Sequence, residues 1–179
     1  IVRRTFLNQR IRSSVKTANH IIAISRFTKD GIMDLFNVPS DRISVIHEGI
    51  DVERFRMQVD QQKWSAIQQR YGLPDEYILS VGHLEPRKNY ITLLQAYLRL
   101  KERLKPVPQL VIVGQKNWDY QPIFQFVSDH GLEKSIVFTH FVETDDLPAI
   151  YQKALFFITA SLFEGFGFTP LEAMAAGTP

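Results

Sequence analysis

The chain has 179 residues, 45% hydrophobic and 12% aromatic, which suffices for one filled α/β domain, or one domain with part of another. A net charge of +2 gives no ground for a nucleic-acid partner, and the lack of cysteine removes disulfides and thiolate metal sites while being compatible with a reducing, cytoplasmic setting. No apolar run approaches the ~18 residues of a membrane span, and nothing reads as a signal peptide.

In chain order, residues 1–18 carry a helical pattern, with Val2, Phe6, Ile11 and Val15 on one side. Arg3, Arg4, Arg10, Arg12 and Lys16 fall in the same stretch without an acidic residue, which reads as a solvated face or, as the alternative, a contact with an anionic membrane surface. Ile21–Ser25 is a short apolar strand, Ser25 caps a helix to about Phe36, and Ile43–His47 is a second strand, together a parallel crossover unit. The pattern then loosens through Gln58. From about residue 60, helices alternate with strands at 77–81, 110–113, 136–139 and 155–159, the helices falling near 89–104, 123–129 and 145–153 and after residue 168. These strands are short, β-branched and apolar, as expected when both sheet faces are covered, so the fold class is α/β with a doubly wound parallel sheet.

In such sheets ligands sit beyond the carboxyl ends of the strands, so the loops there hold the candidates. Gly82 ends the strand at 77–81, and Arg87 and Lys88 follow it just before a helix capped by Asn89. Arg87 can grip two phosphate oxygens and Lys88 supplies a compact charge. Gly114 closes the next strand and is equally well read as a turn glycine or as a point of close backbone approach to a nucleotide. Near the end of the chain, Glu164 and Glu172 bracket an aromatic, glycine-rich turn, Gly165, Phe166, Gly167 and Phe168, that runs into a helix. Thr169, Pro170 and Glu172 fall in capping-box order, which predicts Thr169 as N-cap and aims backbone N–H groups at an anion, a diphosphate by preference. Capping alone would account for Glu172, but no capping role offers itself for Glu164. His47, His83 and His140 lack the spacing of a metal-ligand cluster, so no metal site is expected.

The closing segment, with Glu164–Phe168 and Pro170–Ala173 in an E-G-F-G-F-T-P-L-E-A setting, resembles the signature of the retaining glycosyltransferases of family 4, the group 1 glycosyl transferases with the two-domain GT-B fold. The resemblance continues through residues 81–89, 110–114 and 137–142, and through 21–25 and 45–51. It implies that residues 1–52 are the end of an N-terminal, acceptor-side Rossmann-like domain with its hinge, and 53–179 a C-terminal donor-binding domain cut short at its end, the whole a piece of a longer polypeptide. It further implies transfer of a sugar from a nucleotide-diphosphate sugar to an acceptor with retention of configuration. Arg87 and Lys88 would clamp the diphosphate, Glu172 would receive the ribose hydroxyls, Glu164 would lie near the transferred sugar, and the backbone around Val142 would pack on the nucleobase. The implied donor is GDP-mannose or a UDP-sugar, which is a substrate, so no cofactor is expected. The acceptor, a glycan or glycolipid, would be held by the absent domain, at the cytoplasmic membrane face in many relatives. The alternatives are a GT-B nucleotide-sugar epimerase, which the closing signature disfavours, and a non-catalytic nucleotide- or sugar-binding module. The piece alone is expected to bind donor weakly and to transfer nothing.

Overall fold

The computed structural model describes residues 2–179, with side chains from Arg10 onward, and it divides into two compact units, residues up to 49 and residues 50–179. In the first unit α1 (Val2–Thr17) precedes β1 (Ile21–Ala23), α2 (Arg26–Phe36) and β2 (Ile43–Val45). β1 and β2 pair in parallel, Ile21 opposite Ile43, and Ala23, Val38 and Ile43 form a small core with Ile32, Met33 and Phe36 of α2. Ser25 caps α2 through its side chain, accepting from Thr28 N–H at 3.1 Å, and Asn37 closes the helix in the left-handed region. Val15 packs on this core, but Ile11, expected on the same face, is exposed. The side chains of Val2 and Phe6 lie outside the described residues.

The second unit opens with α3 (Val52–Arg56), a helix that the sequence pattern did not reveal; Asp51 caps it by accepting from Arg54 N–H at 3.1 Å, and Phe55 is its buried anchor. There follow α4 (Gln61–Tyr71), β3 (Tyr77–Val81), a 3-10 turn at Pro86–Lys88, α5 (Tyr90–Arg103), β4 (Gln109–Val113), α6 (Gln121–Asp129), β5 (Ile136–His140), α7 (Leu147–Lys153), β6 (Phe156–Phe157) and α8 (Phe168–Ala176). All pairings are parallel, in the order β5-β4-β3-β6. Side chains alternate across the sheet as a period of two demands. Tyr77, Leu79, Val111 and Val113 face one way, into a core with Trp64, Ile67, Ile150, Tyr151 and Ala173. Ile78, Leu110 and Ile112 face the other way, against Leu93, Leu94 and Tyr97 of α5 and Ile123 and Val127 of α6. Both faces are covered, which is why these strands read as continuous apolar runs.

β6 is shorter than the strand expected over 155–159. Its hydrogen bonds nonetheless run from Leu155 N–H to Tyr77 O (2.9 Å) to Ile158 N–H to Leu79 O (2.8 Å), after which the chain leaves the sheet. The strand order matters more than the length. The sheet grows outward from β3 through β4 to β5, and then returns to place β6 on the other side of β3. That reversal opens a crevice at the carboxyl ends of β3 and β6, where a doubly wound sheet receives its ligand.

Candidate functional site: a cation pair at the sheet reversal

The loops after β3 and β6 meet at this crevice. Arg87 Nη1 donates to Glu164 Oε2 at 2.5 Å and to the carbonyl of Phe163 at 3.1 Å, while Lys88 Nζ donates to Glu164 Oε1 at 2.6 Å. The two loops are also tied by backbone, Leu162 N–H to Arg87 O at 2.9 Å, and the guanidinium lies 5.6 Å from the Phe163 ring centroid. Residues 76 and 77 positions apart are thus brought together by strand order alone.

Glu85 holds the other edge of Arg87 and escaped the sequence analysis. It is buried, 8% exposed; its Oε1 accepts from Arg87 Nε (3.0 Å) and Nη2 (2.8 Å), and its Oε2 from Asn117 Nδ2 at 2.7 Å. A carboxylate two residues before an arginine was the available signal, but its burial depends on Asn117, delivered by the loop after β4. Tyr90 supports the same turn by donating to Gly82 O at 2.7 Å; burial raises its phenol well above the ordinary range, so it stays a donor.

The charges respond to this packing. Burial by itself would raise the Glu164 carboxyl, but the hydrogen bonds from Lys88, Ser161 and Arg87 outweigh it and hold the group below the usual carboxylate range. Burial likewise disfavours the Arg87 cation, and Glu164 and Glu85 more than compensate, so its pKa rises.

Beside the cluster lies an open cleft of about 430 Å³. Gly82, Arg87, Lys88, Gly114, Val142, Thr169 and Glu172 all line it, together with His83, Gln115, His140 and Phe141. Glu164, Gly165, Phe166, Gly167 and Phe168 do not, Glu164 reaching the site through Arg87 and Lys88; Phe166 and Phe168 pack edge to face on one another at 5.4 Å. Gly114 is required by a contact between backbones: a Cβ there would stand 2.0 Å from the carbonyl oxygen of Gly82. The loops it presses together are joined by Leu84 N–H to Gln115 O (2.9 Å) and Asn117 N–H to Leu84 O (3.1 Å). His140 ends β5 with a left-handed backbone, φ 58°, beside a register shift opposite Val113.

The capping box at Thr169 is not formed. Gly167 takes a φ of 93°, open to glycine and strained for other residues, so the chain turns earlier and α8 starts at Phe168 without a side-chain cap. Thr169 is inside the helix, and Glu172, which lines the cleft, instead accepts on Oε2 from the buried Tyr151 hydroxyl at 2.7 Å. Burial, with Glu172 alongside, raises the Tyr151 phenol and keeps it a donor. Asn89 does precede α5, but its side chain bonds Thr92 Oγ1 (2.9 Å) and caps no backbone N–H. Among the described residues no group of three or more His, Asp or Glu is placed to hold a metal ion.

A parallel doubly wound sheet, with a cation pair at its reversal and an open cleft beside it, defines an α/β domain of the doubly wound class. The chain belongs to the group 1 glycosyl transferases: that family's pattern matches residues 62–179, and the Glycosyltransferase Family 4 pattern matches residues 2–54. The serotype-specific mannosyltransferase WbdA of Escherichia coli is 33% identical over 162 residues, 89% of this chain and 20% of that protein. O-antigen chain mannosyltransferase B, also of E. coli, is 32% identical over 175 residues, 97% of this chain and 45% of that protein. The chain therefore spans under half the length of these relatives. Among solved structures, Anabaena Alr3699/HepE in complex with UDP and glucose matches 98% of this chain and 47% of its own at a TM-score of 0.79 and 22% identity. WaaG, a glycosyltransferase of lipopolysaccharide biosynthesis, matches 88% and 42% at 0.72 and 20% identity. At these identities the structures bear on fold, and the fold they share is GT-B.

Proposed function

We propose that residues 50–179 are the donor-binding part of a retaining glycosyltransferase that moves a sugar, mannose from GDP-mannose in the first instance, onto a glycan or glycolipid acceptor. The observation that carries this is the meeting of Arg87, Lys88 and Glu164 at the sheet reversal, beside a cleft that Glu172 also lines. Breaking the sugar–phosphate bond builds negative charge on the departing diphosphate, and Arg87 Nη1, Lys88 Nζ and the uncapped N–H groups of α8 would stabilise it. Glu172, steadied by Tyr151, would take the ribose hydroxyls with its free oxygen, and the backbone around Val142 would lie against the base. The leaving phosphate itself would take the acceptor proton on the face it departs from, which preserves configuration. The family supports the reaction, the two E. coli mannosyltransferases support the sugar, and the UDP bound by the Anabaena protein keeps a UDP-sugar as the second donor. The acceptor site belongs to parts of the protein outside residues 50–179. No helix among the described residues is long and apolar enough to cross a membrane, and the basic residues before Thr17 are the part of this chain that a peripheral contact with an anionic membrane surface would use.

Calorimetric titration with GDP, UDP and ADP and their sugars, beside an Arg87→Ala/Lys88→Ala variant, tests the site. Binding of one nucleotide, weakened at least 100-fold in the double variant, is expected from two lost charge-assisted contacts. Equal binding by the two proteins would remove the diphosphate from this cleft.

A further inference from the structure

We infer that Glu164 is the resident anion of the phosphate site, a tethered competitor that a donor diphosphate must displace from Arg87 and Lys88 before it can bind. This rests on the donor-site reading and adds to it a second role for Glu164, exercised before any sugar is present.

The geometry is that of a ligand in its site. One oxygen of Glu164 lies 2.5 Å from Arg87 and the other 2.6 Å from Lys88, so a single carboxylate spans both cations as a phosphate would. Lys88 has little freedom to turn elsewhere. Its side chain is 11% exposed and is packed over Gly82, where an added Cβ would stand 2.9 Å from Lys88 Cε. Arg87 is fixed from behind by two bonds to Glu85. Its remaining nitrogen, Nη1, is shared between Glu164 and the Phe163 carbonyl, so Glu164 is the one ionised partner that could give way to an incoming anion.

The cluster contains two carboxylates, and only one can leave. Glu85 is buried with both oxygens engaged, on the turn that also carries the cations. Glu164 sits on the loop after β6, followed by Gly165 and Gly167, and its side chain is 25% exposed. The loop keeps its anchor, Leu162 N–H on Arg87 O, while the carboxylate swings. Counting Arg87 and Lys88 against Glu85 and Glu164, the closed cluster is neutral. With Glu164 turned away, it presents one net positive charge toward the cleft. An incoming diphosphate is therefore exchanged for Glu164, and the displaced carboxylate is released beside the loop at the moment a sugar arrives next to it. A tethered carboxylate competes at an effective concentration of about a millimolar, so weak monoanions are excluded and polyanions are admitted.

The test is titration of the chain and of its Glu164→Gln variant with GDP, UDP, inorganic pyrophosphate and the unphosphorylated nucleosides. Affinity for the diphosphates and for pyrophosphate should rise roughly tenfold in the variant, with nucleoside binding unchanged. Glu164→Asp, which keeps the charge but cannot span both cations, should fall between the two and serves if the glutamine variant does not fold. A Glu164 that served the sugar alone would leave pyrophosphate and GDP affinity unchanged or lower, and that result overturns the inference. If wild type binds GDP or UDP and Arg87→Ala/Lys88→Ala does not, the donor site stands whatever Glu164→Gln shows. If neither wild type nor Glu164→Gln binds any diphosphate, the site reading and this inference fall together.

Discussion

At the scale of single residues, the cation pair and its carboxylate have a pH signature. The Glu164 carboxyl is held below its ordinary value of 4.5, so its ion pairs add stability that is fully present above that pH and is lost as pH falls through the depressed folded value. Glu164→Gln should therefore be less stable than wild type at pH 7, and the gap should close as the solution is acidified below 4.5. Urea unfolding at a series of pH values reads this directly, and a gap independent of pH would show the pairing to be energetically idle, as many exposed pairs are. Gly114 offers a sharper test because its constraint is steric. Gly114→Ala places a methyl 2.0 Å from the Gly82 carbonyl, backbone against backbone, and should cost about 3 kcal/mol or more as a shift in the urea midpoint at unchanged slope. His140 should behave oppositely. A histidine held at φ 58° carries strain that glycine would not, so His140→Gly should leave the melting temperature unchanged or slightly raised.

At the scale of elements, what was legible in the sequence follows the length and purity of each signal. β3, β4 and β5 were read within a residue or two because strands covered on both faces leave an unbroken apolar, β-branched run. α2 was read from Ser25, whose side chain does cap it, and Ser25→Ala should cost about 1 kcal/mol in thermal unfolding. α3 was invisible because five residues carry no periodicity; only Asp51 before it and the buried Phe55 within it mark the helix. The capping box at Thr169 failed for a different reason. Its letters are right, but Gly167 reaches a backbone conformation that starts the helix early, and sequence does not say which φ a glycine adopts. The site was half legible. Arg87, Lys88 and Glu164 could be singled out, since charges in strand-end loops have few structural reasons to be there, whereas Glu172, which capping alone would have explained, stood out through the family signature around it. Their contact could not, because it depends on β6 returning to the far side of β3, and that order is written in no local pattern. Glu85 was missed on the same account.

At the scale of the whole molecule, every contact in the proposed site lies within residues 50–179, the unit that carries both faces of the four-stranded sheet. Binding energy must therefore enter this unit alone unless further parts of the protein close over the ligand. Linkage gives the size of the effect: at a hundred times its dissociation constant a ligand adds about 2.7 kcal/mol to the folded state. Saturating GDP, or UDP if that is the nucleotide bound, should thus raise the unfolding temperature of residues 50–179 by several degrees. Hydrogen exchange locates the gain. Amides at 82–89, 113–116, 140–142 and 161–169 should slow, while those of β1 and β2 keep their rates, since neither strand contributes to the cleft. Protection spread evenly over 21–45 as well would mean that the first unit shares in the donor site. The division at residue 49 would then separate compact units of chain and not functions.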